Sequence, residues 1–131
     1  MNVYIVGNSF VRKDSLPVRL IPHLQKKFPT IMFQPVDPNE NFIPEEEGII
    51  IDTVEGIRAV TVFGDIDVFM TAKSVSPHDY DLGFHLKLLS KLHKLAPLTI
   101  IGVPIGTDDN SVLTETIPVL EKLFDKRKHK G

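Results

Sequence analysis

The sequence predicts a three-layer α/β/α domain built on a mostly parallel twisted sheet with one antiparallel strand. Three observations carry this expectation. Short runs rich in β-branched residues alternate along the chain with longer segments whose apolar residues recur at helical spacing. The run Ile49-Ile50-Ile51 is apolar without alternation, as a strand buried on both faces is. Gly64-Asp65, between two apolar runs, has the composition of a tight turn that reverses the chain.

The elements follow in order. Residues 3–6 form a short apolar run closed by Gly7-Asn8, the pattern of a buried parallel strand. Leu16, Leu20, Leu24 and Phe28, with Ile21 beside them, mark one face of a helix; Ser15 is placed to cap it and Pro17 falls in its first turn. Pro22 conflicts with a straight helix, so the expectation is a bend there or a delayed regular start. Residues 31–36 predict a second strand, with Pro35 placing it at its end or at a sheet edge. The third strand is Ile49-Ile50-Ile51, with Asp52 directly ending it. Residues 57–63 and 66–70 read as the two arms of a hairpin, which supplies the antiparallel strand. Leu82, Leu86, Leu89 and Leu92 define a helix over 79–96, stopped by Pro97. Residues 98–103 make the last parallel strand. A final helix begins at about Leu113, with Ile117, Leu120 and Phe124 facing inward.

Composition bounds what such a domain does. At 131 residues the expectation is a single domain, 1–131, and a chain of this size buries roughly two-thirds of its unfolded surface without covalent staples. The 42% hydrophobic and 24% charged content is that of a folded globular chain rather than a disordered one. A net charge of −2 gives no basic surplus for phosphate neutralisation, so no nucleic-acid partner is expected. The absence of cysteine excludes disulfide frameworks, thiolate metal sites and cysteine nucleophiles. No apolar run approaches the ~18 residues of a membrane span. The first residues also lack the basic start and cleavage site of a secretory leader, so a cytoplasmic monomer without membrane insertion is expected.

In a parallel α/β sheet, binding groups collect beyond the carboxyl ends of the strands. Three polar residues fall there: Asp14 after the first strand, Asp52 at the end of the isoleucine run, and His78 in Ser76-Pro77-His78-Asp79. Two carboxylates and an imidazole suit a divalent transition metal such as nickel, zinc or manganese, and three protein ligands leave positions open on the ion. Each residue also has a structural role open to it. Asp14 can cap the first helix, Asp52 can accept backbone donors, and His78 can open the next helix. Other signals are weaker. Gly7-Asn8 follows a strand, but no G-x-G-x-x-G or Walker lysine accompanies it. Ser76 and Ser111 lack the setting of a hydrolase nucleophile. His23, His85 and His93 read as helix residues. Asp108-Asp109-Asn110, although near the functional edge, has no metal-loop spacing, and the closing Lys126-Arg127-Lys128-His129-Lys130 reads as a solvated helix end.

Val6-Gly7-Asn8 with Asp14 beyond it, Ile50-Ile51-Asp52-Thr53, and Ser76-Pro77-His78 occur in an order that resembles the nickel–iron hydrogenase maturation endopeptidases. The resemblance runs over about residues 1–95 and continues more weakly through Ile100-Ile101-Gly102-Val103 and the last helix. It implies an α/β fold and a peptidase, aspartic-type by that family's pattern, that trims a C-terminal peptide from the hydrogenase large-subunit precursor after nickel insertion. It also implies that Asp14, Asp52 and His78 contact the nickel, which arrives within the substrate, and that Asp14 and Asp52 are the catalytic carboxylates. The chain departs from the family in two places. Arg12-Lys13-Asp14-Ser15 stands where the family has a Gly-Asp-Asp/Glu-Gly-like stretch, and Asp37-Pro38-Asn39-Glu40 stands where it has an Asp-Gly-Gly-Thr-like loop. The alternatives are a non-enzymatic α/β module holding a small anion or nucleotide at the Gly7-Asn8/Asp52 edge, and a hydrolase with its own metal and an unrelated substrate.

Overall fold

Five short segments, four of them rich in β-branched residues, provide the strands of one sheet: β1 (Asn2–Val6), β2 (Met32–Val36), β3 (Ile49–Val54), β4 (Thr61–Phe63) and β5 (Thr99–Pro104). They belong to a computed structural model of the chain, which describes residues 2–6, 19–36, 48–54, 57–64, 99–104 and 108–128. The strand order is β2-β1-β3-β5-β4. β1 runs parallel to β2 and β3, β3 runs parallel to β5, and β4 alone is antiparallel to its neighbour. The fold class is therefore α/β with a mostly parallel sheet and one antiparallel strand.

Pairing leaves each central strand buried on both faces. On one face Val3, Ile5, Ile49, Ile51, Ile101 and Val103 form the floor of the larger core cluster, and two helices cover them. α1 (Ile21–Lys27) contributes Leu24 to that cluster, and α2 (Asp109–Lys128) contributes Val112, Leu120 and Phe124. The Phe28 ring, just past α1, meets Phe124 edge-on at 5.2 Å and lies 6.3 Å from Phe33, joining both helices to β2. Side chains that alternate to the opposite face (Tyr4, Val6, Ile50, Val54, Phe63 and Ile100) form a second buried cluster. The helix expected over 79–96, which would serve that face in a three-layer arrangement, lies outside the described residues. Among the described residues no helix is long and apolar enough to cross a membrane.

Proline chemistry set two boundaries as expected. Pro22 occupies the first turn of α1, where its missing N–H leaves no bond unmade, so the regular helix starts at Ile21. Ser15 and Pro17, expected to start the helix earlier, lie outside the described residues. Pro35 is accommodated because β2 is the outermost described strand on its side of the sheet. The Gln25 Nε2 group donates to the carbonyls of Phe28 and Ile31 at 3.3 and 2.8 Å, fastening the turn from α1 into β2.

Three boundaries differ from expectation. Asp52 does not end β3: pairing with β5 carries the strand on through Val54. The strand expected over 57–63 narrows to Thr61–Phe63; the approach to it is held instead by Val60, whose N–H donates to Glu115 of α2 at 3.3 Å. The other expected hairpin arm, 66–70, lies outside the described residues. The last helix begins at Asp109 rather than near Leu113, because Asp108 caps it. Its carboxylate accepts from the Ser111 N–H at 3.0 Å and from the Ser111 hydroxyl at 2.8 Å.

Candidate active-site edge

The connectivity fixes where a ligand crevice forms. The chain leaving β1 passes through α1 to β2 on one side of the sheet, whereas the chain leaving β3 goes to β4 and β5 on the other. The carboxyl ends of β1 and β3 are therefore the topological switch point, where diverging connections leave a cleft between two parallel strands.

Asp52 sits at this fork. The β1–β3 register runs from Val3↔Ile49 to Ile5↔Ile51, so Asp52 is the first β3 residue past it. On its other side Asp52 is paired with Gly102 of β5. Its side chain alternates to the face of Ile50 and Val54, opposite the two described helices. It is buried, with 3% of its surface exposed, and its Oδ1 accepts the Thr53 N–H at 2.8 Å. Among the possibilities open to it, Asp52 thus accepts a backbone donor, but from within a strand rather than a loop.

The surroundings of Asp52 explain its burial. An added Cβ on Gly102 would lie 2.7 Å from Phe63 Cε2, 2.9 Å from Val54 Cγ2 and 3.5 Å from Ile57 Cδ1. Three apolar side chains thus converge on the residue paired with the carboxylate. Within the apolar run 98–103 Gly102 carries a signal of its own, since an isolated glycine inside a strand pattern marks close approach of other atoms.

Asp14 and His78 lie outside the described residues, so of the expected trio only Asp52 has a described position. Among the described residues no group of three metal-ligating side chains comes together. Gly7-Asn8, the edge expected to hold an anion in the alternative reading, also lies outside them. His23 is exposed on α1, as expected of a surface helix residue. Near the same edge, Asp108 is an exposed helix cap, and its two hydrogen bonds from Ser111 hold its pKa below the ordinary carboxylate value.

The sequence matches no family model and no curated protein. The fold does match solved structures. One is the solution structure of an endopeptidase from Escherichia coli, with a TM-score of 0.66 and 14% identity over 100% of this chain and 94% of that one. A second is the crystal structure of the hydrogenase 3 maturation protease, with a TM-score of 0.56 and 16% identity over 89% of this chain and 86% of that one. A third is an uncharacterized protein from Wolinella succinogenes, with a TM-score of 0.53 and 10% identity over 99% and 98% of the two chains. This chain shares their fold.

Proposed function

We propose that a protein with this fold and this carboxylate is an endopeptidase of the hydrogenase maturation kind. In this reading it removes a C-terminal peptide from the precursor of a nickel–iron hydrogenase large subunit. The observation that carries the reading is Asp52: a buried carboxylate at the switch point of a fold shared with an endopeptidase and a hydrogenase maturation protease. A strand-borne acid paired to β5 through Gly102 is fixed more tightly than a loop residue.

Nickel belongs to the substrate in this proposal. The precursor brings it, and Asp14, Asp52 and His78 complete its surroundings as oxygen and nitrogen donors. Docking on the metal then holds the scissile peptide beside the carboxylates. Orientation of this kind removes several kcal/mol of a barrier, on the order of 7–11 in the best cases. Asp14 or Asp52 accepts a proton from water as that water attacks the scissile carbonyl, and the proton passes on to the leaving amide nitrogen. This is the aspartic-type chemistry assigned to the site. The protein acts as a cytoplasmic monomer, where the precursor is assembled.

Asp52 also separates this reading from an anion- or nucleotide-binding module. A buried carboxylate repels an anion seated at the same edge. The test is incubation of the purified protein with nickel-loaded large-subunit precursor, with the released peptide identified by mass spectrometry. Absence of any cleavage product overturns the proposal.

A further inference from the structure

Gly102 and Asp52 are paired residues of adjacent parallel strands, and their side-chain positions lie on the same face of the sheet. The space a Cβ would take at Gly102 is filled from three directions by Phe63, Val54 and Ile57, with the ring closest at 2.7 Å. Real Cβ atoms essentially never come that near another heavy atom, so no side chain fits at 102 without displacing the ring. All three occupants come from the stretch that follows Asp52 and returns as β4, antiparallel to β5. Phe63 itself is paired with Ile100, two residues before Gly102 on the same face. The ring therefore leans along β5 onto the bare glycine, whose partner on β3 is Asp52.

We propose that Gly102 is a positioning residue: its missing side chain is the socket that seats Phe63, and the seated ring is the apolar wall holding the Asp52 carboxylate against the Thr53 amide. This rests on the reading of Asp52 as a site carboxylate, but the packing it invokes is independent of the substrate. Any side chain at 102 pushes the ring outward. The chain after Val54 then shifts with it, because Val54 and Ile57 meet the same point. The carboxylate loses its wall, and water reaches the Asp52–Thr53 hydrogen bond.

The experiment compares the wild-type protein with Gly102→Ala, which displaces the ring, and with Phe63→Leu, which removes the ring and leaves the glycine bare. Two readouts are taken on each protein. The first is amide hydrogen exchange at Thr53 relative to Ile100 and Ile101, which report the stability of the sheet as a whole. Exchange at Thr53 is expected to accelerate by about tenfold or more in both variants while the β5 amides change little. The second is cleavage of nickel-loaded precursor, with a loss of about 100-fold in both variants, falling on kcat more than on KM. Unchanged Thr53 exchange in a folded Gly102→Ala protein overturns the proposal. So does equal acceleration at Thr53, Ile100 and Ile101, which is the signature of a purely structural role. If the exchange result holds but no variant, wild type included, cleaves precursor, the positioning role stands and the peptidase reading fails.

Discussion

Arg19 and Asp109, ninety positions apart, close a two-pronged ion pair: Arg19 Nε donates to Oδ2 and Nη2 to Oδ1, each at 3.1 Å. It joins the chain entering α1 to the first residue of α2, the two segments that follow β1 and β5. The fork geometry is the favourable one for a guanidinium and a carboxylate. Both side chains, however, remain more than 40% exposed, so solvent and salt screen the attraction. A double-mutant cycle with Arg19→Ala and Asp109→Ala is expected to give a coupling below about 1 kcal/mol, shrinking further in molar salt. A larger, salt-insensitive coupling in urea titrations would show that the pair is shielded in solution.

Asp52→Asn tests the carboxylate without emptying its site. The amide oxygen retains the bond from the Thr53 N–H, and the volume is unchanged, so the fold is expected to survive. Precursor cleavage is expected to fall by at least about 100-fold, the scale of a lost general base. Asp14→Asn and His78→Ala are expected to behave alike if the three act together. Cleavage at the wild-type rate by folded Asp52→Asn would remove Asp52 from the chemistry.

Ile50 and Lys126 test the core assignment from opposite ends. Ile50 is fully buried among Tyr4, Val54 and Ile100, and Ile50→Ala is expected to cost about 2–5 kcal/mol in denaturant unfolding. Lys126 is exposed on α2, and Lys126→Ala is expected to stay within about 0.5 kcal/mol. Reversal of that ranking is incompatible with β3 at the centre of the sheet. Leu89, the matching expectation on the helix over 79–96, lies outside the described residues.

What the sequence disclosed, and what it withheld, follows from the range of the forces involved. β1, β3 and β5 were legible because a buried parallel strand writes itself as a local apolar run, and β2 because Pro35 marks a strand end or edge. Pro22 and Pro35 were legible because proline acts on its own backbone. The extension of β3 through Asp52 was not, since an aspartate disfavours strands locally and the ladder to β5 overrides it. α2 starts four residues before the apolar spacing from Leu113 implies, because Asp108, which with Asp109 and Asn110 lacks metal-loop spacing, is with Ser111 three residues later a helix cap. Gly102, an isolated strand glycine, signals close approach but not what approaches, because Phe63 and Val54 are far off in sequence. Of the site, the isoleucine run disclosed Asp52 and its edge, whereas Asp14 and His78 are distant in sequence and no local pattern ties them to it.

Asp108 gives the stability a predictable acid limb. Its folded-state pKa lies below its unfolded value because the charged form accepts two hydrogen bonds from Ser111. A depressed pKa contributes stability that is fully present above the unfolded value, about 3.9 for an aspartate, and that is lost as pH falls through the folded one. Asp108→Asn keeps a capping oxygen but does not titrate in this range. Thermal unfolding followed from pH 5 to pH 2 is therefore expected to fall less steeply in Asp108→Asn than in wild type, and parallel curves would exclude Asp108 from the acid response. Because the group is fully exposed, screening keeps the difference small.

The last prediction concerns where the nickel comes from. Asp52 is the one member of the proposed trio with a described position, and no other described acid or histidine joins it in a group of three. The chain has no cysteine, so any site it builds offers oxygen and nitrogen donors only. Thiolates of a hydrogenase precursor hold nickel far more strongly, being softer ligands. The resting protein is therefore expected to carry little metal, and recognition is expected to require the ion in the substrate. A chelator added to the protein and then removed should leave its activity unchanged, whereas the same treatment of the precursor should abolish cleavage. The deciding comparison is stripped protein acting on nickel-loaded and on nickel-free precursor. Cleavage of the loaded form alone supports a protease that reads its substrate's metal. Equal cleavage of both refutes that mechanism even while it establishes a protease, and leaves Asp52 to act on the peptide without nickel as its guide.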